Sequence, residues 1–241
     1  MWRATDGAYD PTSGPSSCAL GFTRCAGRMP TDGEIAAVLE HVGMRHVELN
    51  ADDRTIRFLK PGVALNLGSI GKGYALDRAG EILRAHAITD GLLHGGNSSV
   101  LALGSHPEAF DGVGGWWIGV RDPWRPDVRL GEVRVRDRAA GTSGAAVQYF
   151  IHGGKRYGHI LDPRTGRPAE GILSTTVLAP TAAEADALST AFYVMGVEAA
   201  AAYLEARPEV TALLFAPGAA PGTWGLTLLN MPDGDWRTSS A

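Results

Sequence analysis

The segment Pro180-Thr181-Ala182-Ala183-Glu184-Ala185-Asp186-Ala187-Leu188-Ser189-Thr190 constrains this chain more than any other, because it states where a helix begins and which face is polar. Thr181 followed three residues later by Glu184 has the form of a capping box, which predicts a helix starting at that point. Leu188, Ala191, Phe192 and Met195 then recur at helical spacing and mark the side to be buried. Asp186 and Thr190 are four apart, so their side chains are neighbours one turn away from each other. A carboxylate, a hydroxyl and a backbone carbonyl make a hard oxygen set suited to Mg2+, which keeps some positions for water and phosphate. Taken alone, the same residues equally describe a solvated first turn whose acid complements the helix dipole.

The remaining composition narrows the class of protein. With 241 residues the chain makes one large domain or two small ones, with ample length for a core. Its 44% hydrophobic and 20% charged residues are ordinary for a globular protein. A net charge of −4 and the absence of Lys/Arg runs argue against a nucleic-acid partner. The 32 glycines predict many tight turns and close backbone approaches. Cys18 and Cys25 match no zinc spacing and read as two unrelated thiols, although a disulfide between them is geometrically allowed. No uninterrupted apolar run approaches a membrane span, and the N-terminus carries no signal-like apolar core.

Periodicity and turn residues predict short helices and strands in alternation. Helices are expected at 34–41, at 72–86 with Leu76, Ala79, Ile82 and Leu83 inward, and from 181 to 207 with a break at Gly196. Strands are expected at 46–49, 55–59, 63–67, 92–93, 100–103, 116–120, 133–135, 147–151, 159–161, 174–179, 210–215 and 224–229. Hairpin-like strand pairs with a few long helices indicate an α+β fold built mainly on antiparallel sheets. The domain is expected to span 1–230, with 231–241 a disordered tail. The polar opening Met1-Trp2-Arg3-Ala4-Thr5-Asp6-Gly7 has no leading strand or helix, as the middle of a domain would.

Two further segments carry chemistry. Asn66-Leu67-Gly68-Ser69-Ile70-Gly71-Lys72-Gly73 reads as a Gly-rich turn opening a helix with Lys72 in its first turn. Backbone N–H groups and an ammonium there would suit a phosphate, while an exposed Lys on a plain connection is the simpler alternative. A P-loop is excluded, since it needs Gly at position 66 and Ser or Thr at position 73. Gly158-His159-Ile160-Leu161-Asp162-Pro163-Arg164-Thr165-Gly166 is turn chemistry preceded by a histidine, either a base or a strand histidine with its needs met locally.

In this order the segments resemble the FAD:protein FMN transferases, the ApbE-type flavin transferases. The resemblance runs from Gly7 to about Leu228. It rests on Gly7-Ala8-Tyr9-Asp10-Pro11-Thr12, the Gly68 to Ala75 turn, Gly95-Gly96-Asn97, the strand and turn from Trp117 to Pro123, Thr142-Ser143-Gly144, His159 to Pro168, and Ala185 to Thr190. It implies a T-fold-like α+β architecture and Mg2+-dependent transfer of FMN from FAD to a Ser or Thr hydroxyl of an acceptor protein, with release of AMP. It further implies Asp186 and Thr190 as metal ligands through their side chains, with Ser69 offering its backbone carbonyl and Ser189 its carbonyl or a nearby contact. Gly7, Ala8, Tyr9, Asn66, Lys72 and Ile160 fall on flavin-contacting positions, and His159 is the candidate for orienting or deprotonating the incoming hydroxyl.

Two departures from the family pattern stand out. Asn66 occupies a position where the family usually has Asp, so one acceptor oxygen and a charge are lost. The family's longer N-terminal part, which supplies a Met and a Tyr to the FAD and usually an export signal, is expected to be missing here, so localisation is not readable. These departures leave two rivals: a pyrophosphatase cleaving FAD to FMN and AMP, and a non-catalytic FAD-binding module.

Overall fold

The computed structural model describes residues 1–14, 29–108, 112–145, 148–220 and 222–239. Cys18, Cys25 and Val147, named above, lie outside the described residues.

Three α-helices are present among the described residues: α1 (Asp32–Leu39), α2 (Gly71–Ala85) and α3 (Ala182–Leu204). The strands in chain order are β1 (Val47–Asn50), β2 (Thr55–Phe58), β3 (Gly91–His94), β4 (Ser99–Leu103), β5 (Trp116–Arg121), β6 (Arg129–Val135), β7 (Arg138–Gly144) and β8 (Tyr149–His152). They continue with β9 (Lys155–Gly158), β10 (Leu161–Asp162), β11 (Arg167–Pro168), β12 (Ser174–Ala179), β13 (Thr211–Pro217), β14 (Trp224–Leu229) and β15 (Trp236–Thr238). Every strand pairing among the described residues is antiparallel, in keeping with the α+β expectation.

A six-stranded sheet ordered β14-β13-β12-β7-β4-β3 forms the middle of three layers. The pleat sends alternate residues to opposite faces. Leu101, Leu103, Ala139, Val177, Ala179, Ala212 and Leu214 meet α2 and α3 on one side. Ala102, Ala140, Leu178, Leu213 and Phe215 meet Val120, Val133 and Val135 of the three-stranded sheet β15-β6-β5 on the other. Leu188 and Phe192 of α3, both fully buried, anchor the helix layer. At Gly196 the backbone turns to φ 81°, so α3 breaks where only glycine turns without strain.

Several expectations are corrected. The span 63–67 forms no strand; the Asn66 N–H instead donates to the Pro11 carbonyl at 2.7 Å, docking the segment on the first loop. In α2 the inward face is Gly73, Leu76 and Gly80 with Leu83 partly buried, whereas Ile82 is 60% exposed. The expected strand at 159–161 begins only at Leu161. β7, which no periodicity announced, lies between β12 and β4. The tail contributes β15, with Trp236 paired to Val133. Finally, α3 is 23 residues long and contains an 18-residue stretch of mean hydropathy 1.3, enough to cross a bilayer by length and composition. Its apolar residues are those of a helix packed on the sheet.

Candidate functional site

Helix α3 comes unusually close to its neighbours, and two glycines allow it. A Cβ on Gly73 would overlap the Ala182 carbonyl, and one on Gly141 would overlap the Ala185 backbone. The first turn of α3 is therefore wedged between α2 and β7. Its N–H groups are held from two directions. Thr181 Oγ1 accepts from Glu184 N at 3.2 Å, the expected cap. The reciprocal half of the box is replaced: Glu184 Oε1 accepts from Arg207 Nη2 at 2.7 Å. Asp77 of α2, a residue no sequence signal marked, accepts from Ala182 N at 2.7 Å and Ala183 N at 2.9 Å.

This wedge fixes Asp186, which is 6% exposed. Its Oδ1 accepts from Ser99 Oγ at 2.7 Å and its Oδ2 from Gly73 N at 2.8 Å. The anion expected at the start of α2 is thus, at the Gly73 N–H, the protein's own carboxylate, and the Gly71 N–H is taken by the Leu67 carbonyl at 2.7 Å. Burial raises the Asp186 pKa; the Ser99 and Gly73 hydrogen bonds and the Lys72 charge pull the other way, and Asp77 adds to the rise. Thr190 Oγ1 reaches the Asp186 main-chain carbonyl at 3.3 Å rather than its carboxylate, and Ser189 Oγ donates to the same carbonyl at 2.9 Å. Ser143 Oγ lies 2.9 Å from Ser189 Oγ and 3.1 Å from Thr190 Oγ1, completing a hydroxyl cluster.

Across from this cluster stands the loop that opens the chain. Asp10 Oδ1 accepts from Thr12 N at 2.8 Å and from Thr12 Oγ1 at 2.6 Å, while Thr12 Oγ1 accepts from Gly43 N at 2.6 Å. These buried bonds hold the loop that presents Ala8 and Tyr9, and they explain Asp10 and Thr12 as framework. The Tyr9 hydroxyl accepts from Ser69 Oγ at 3.4 Å, and burial raises its pKa. Asn66 Oδ1 accepts from Gly68 N at 2.9 Å. Its acceptor oxygen thus serves its own loop, and its NH2 carries two donors.

His159 follows β9. A carbonyl only accepts, so its 3.2 Å contact with the Gln148 oxygen puts a proton on Nδ1 and makes Nε2 the basic nitrogen of the neutral ring. Burial lowers its pKa, the Gln148 bond raises it, and the Lys72 charge lowers it further.

All the predicted site residues except Gly7 line one cleft of ≈ 430 Å³: Ala8, Tyr9, Asn66, Ser69, Lys72, His159, Ile160, Asp186, Ser189 and Thr190. Ser98, Thr142, Ser143 and Gln148 share that lining. Gly7, at φ 73°, instead borders a neighbouring concavity with Trp2, Arg3, Arg45 and Arg164. Sequence reasoning missed Ser99, which stands outside the lining and holds Asp186 from behind through its hydroxyl. It took Thr142 and Ser143 only as part of a family motif.

Among the described residues no three His, Cys, Asp or Glu side chains converge as a metal cluster. The donors around Asp186 are all oxygens, one carboxylate plus hydroxyls and carbonyls. That set fits a hard cation such as Mg2+, which binds through one or two carboxylates and completes its shell with water and phosphate.

The model of the ApbE family matches residues 1–214. An FAD:protein FMN transferase of Treponema pallidum is 35% identical over 223 residues, covering 88% of this chain and 61% of its own length. One from Rhodobacter capsulatus is 37% identical over 199 residues, 80% of this chain and 36% of the relative. The chain thus spans less than two thirds of either relative. The crystal structure of the ApbE protein of Thermotoga maritima superposes with a TM-score of 0.81 at 35% identity, over 95% of this chain and 72% of that one. With the family model running through both walls of the cleft and a solved fold this similar, the chain belongs to the ApbE family.

Proposed function

We propose that this chain transfers FMN from FAD to a Ser or Thr hydroxyl of an acceptor protein and releases AMP. The observation that carries the reading is the meeting of three kinds of group in one cleft. These are a hard-oxygen cluster around Asp186, the Lys72 ammonium, and a histidine held neutral with Nε2 as its base. The names of the Treponema and Rhodobacter relatives support it.

The acceptor oxygen attacks the FMN-side phosphorus of the FAD pyrophosphate. A new P–O bond forms, the bond to the bridging oxygen breaks, and AMP leaves with that electron pair. His159 Nε2 takes the hydroxyl proton. Lys72 offers positive charge to the phosphate oxygens as charge builds on them. Asn66, with its NH2 directed outward, donates to an acceptor on the flavin. Asp186, Thr190 and the neighbouring carbonyls would hold Mg2+, which, when bound, neutralises phosphate oxygens and stabilises the leaving AMP.

The test is AMP release from FAD by the chain, with and without a Ser/Thr acceptor peptide, alongside the mass of the peptide. Transfer predicts AMP only with peptide and Mg2+, a peptide heavier by one FMN, and loss of both in Asp186→Ala. AMP without peptide makes the chain a pyrophosphatase. No AMP under either condition makes it a binding module.

A further inference from the structure

Asp186 is presented to the cleft by groups that do not themselves line it. Ser99 opens β4, is 0% exposed, and donates its hydroxyl proton to Asp186 Oδ1 at 2.7 Å. Its other polar neighbour, Ser98 Oγ, is 3.5 Å away, at the limit of a hydrogen bond. Gly73 of α2 donates to the other oxygen at 2.8 Å. Each oxygen of the carboxylate is therefore held by one donor from a different element. A carboxylate has about four lone-pair positions, so both oxygens keep acceptor capacity while the plane of the group is fixed.

We infer that Ser99 is a positioning residue, aiming the Asp186 carboxylate at a divalent cation in the cleft. The inference rests on the proposed metal role of Asp186. Gly73 contributes through its backbone, and any side chain there would collide with α3, so Ser99 is the member of the pair that substitution can reach. Removing its hydroxyl frees Oδ1, and the carboxylate swings about its bond to Cβ toward whatever donor remains. Partners that orient metal-ligating carboxylates affect metal affinity about 10–100-fold when lost.

The experiment is calorimetric titration of Mg2+ into the full chain saturated with FAD. It is run for the wild type, Asp186→Ala and Ser99→Ala, with the metal-free melting temperature of each measured in parallel. The wild type should bind Mg2+ in an Asp186-dependent manner. Ser99→Ala should bind it about tenfold or more weakly, while melting within a few degrees of wild type without metal. Should Ser99→Ala fail to fold, Ser99→Cys, near in size and a weaker donor, is titrated and judged by the same loss. Affinity within twofold of wild type in the variant overturns the role of Ser99 and leaves the metal reading standing. Absence of Asp186-dependent Mg2+ binding by the wild type overturns both.

Discussion

Asp186 and His159, like Tyr9, are titratable side chains of the cleft pushed toward their neutral forms mainly by burial. For the histidine the shift suits a base, because the lone pair on Nε2 survives to lower pH than in a free imidazole. Its protonation is disfavoured in the folded chain relative to the unfolded one. The stability this side chain contributes is therefore fully present above about pH 6.5 and is lost as pH falls from there toward its folded value. An NMR titration of the His159 ring should give a midpoint below about 6.5. Since the Lys72 charge is one of the depressing causes, Lys72→Ala should move the midpoint up. A midpoint at or above the free value in the wild type would remove His159 from consideration as a base poised by the fold. At this scale part was legible in the sequence: the likeness of its motifs to a known family put Lys72, His159 and Asp186 in one site, and all three line one cleft. Ser99 and Asp77 were not, because what gives them meaning is a partner 87 and 105 residues away, and a single chain carries no local mark of such a pairing.

The elements show why parts of the fold could not be read in advance. β7 is Arg138-Ala139-Ala140-Gly141-Thr142-Ser143-Gly144, poor in the β-branched and aromatic residues that advertise a strand. Its residues are small because α3 lies directly on it, with the backbone of Ala185 where a side chain on Gly141 would be. The tertiary contact selects against the very residues that would have revealed the strand. α3, by contrast, announced itself through its cap and its apolar spacing, though its N-terminus is held by more than the cap. Asp77 supplies two charged acceptors to the first-turn N–H groups, where a negative charge also meets the positive end of the helix dipole. Asp77→Ala should lower unfolding stability by about 1–2 kcal/mol, the upper range for a lost N-cap. Asp77→Asn, which keeps an acceptor oxygen, should lose less. Urea unfolding with an unchanged slope measures both, and equal losses in the two variants would show that packing rather than the hydrogen bonds is at stake.

On the scale of the molecule, the central sheet is covered on both faces, and the second cover is finished by the last residues of the chain. The span from 231 onward looks like a polar tail in sequence because its turn residues outnumber its apolar ones. The structure attaches its described residues in several ways. β15 pairs with β6 through Trp236–Val133, Arg237–Glu132 and Thr238–Gly131. The Trp236 ring occupies the space a side chain at Gly131 would need, and it joins the core between the two sheets. Arg134 meets Asp235 at 2.6 Å, and Arg237 lies 3.9 Å over the ring of Trp117. The Arg134–Asp235 pair, with side chains only 12% and 22% exposed, offsets much of its attraction by desolvation, and a single cation–π contact contributes little, so the half-buried indole carries most of the attachment. A fully buried aromatic truncated to Ala costs about 3–5 kcal/mol, and for a ring only partly covered about 1–3 kcal/mol is the proportionate loss. Trp236→Ala should therefore shift the urea midpoint clearly downward, and deleting 231–241 should shift it at least as far. Arg237→Ala should move it by less than either. A disordered tail would show none of this: equal midpoints for the wild type and the deletion would mean that β15 is not part of the folded molecule, and that the three-stranded layer covers the sheet with two strands alone.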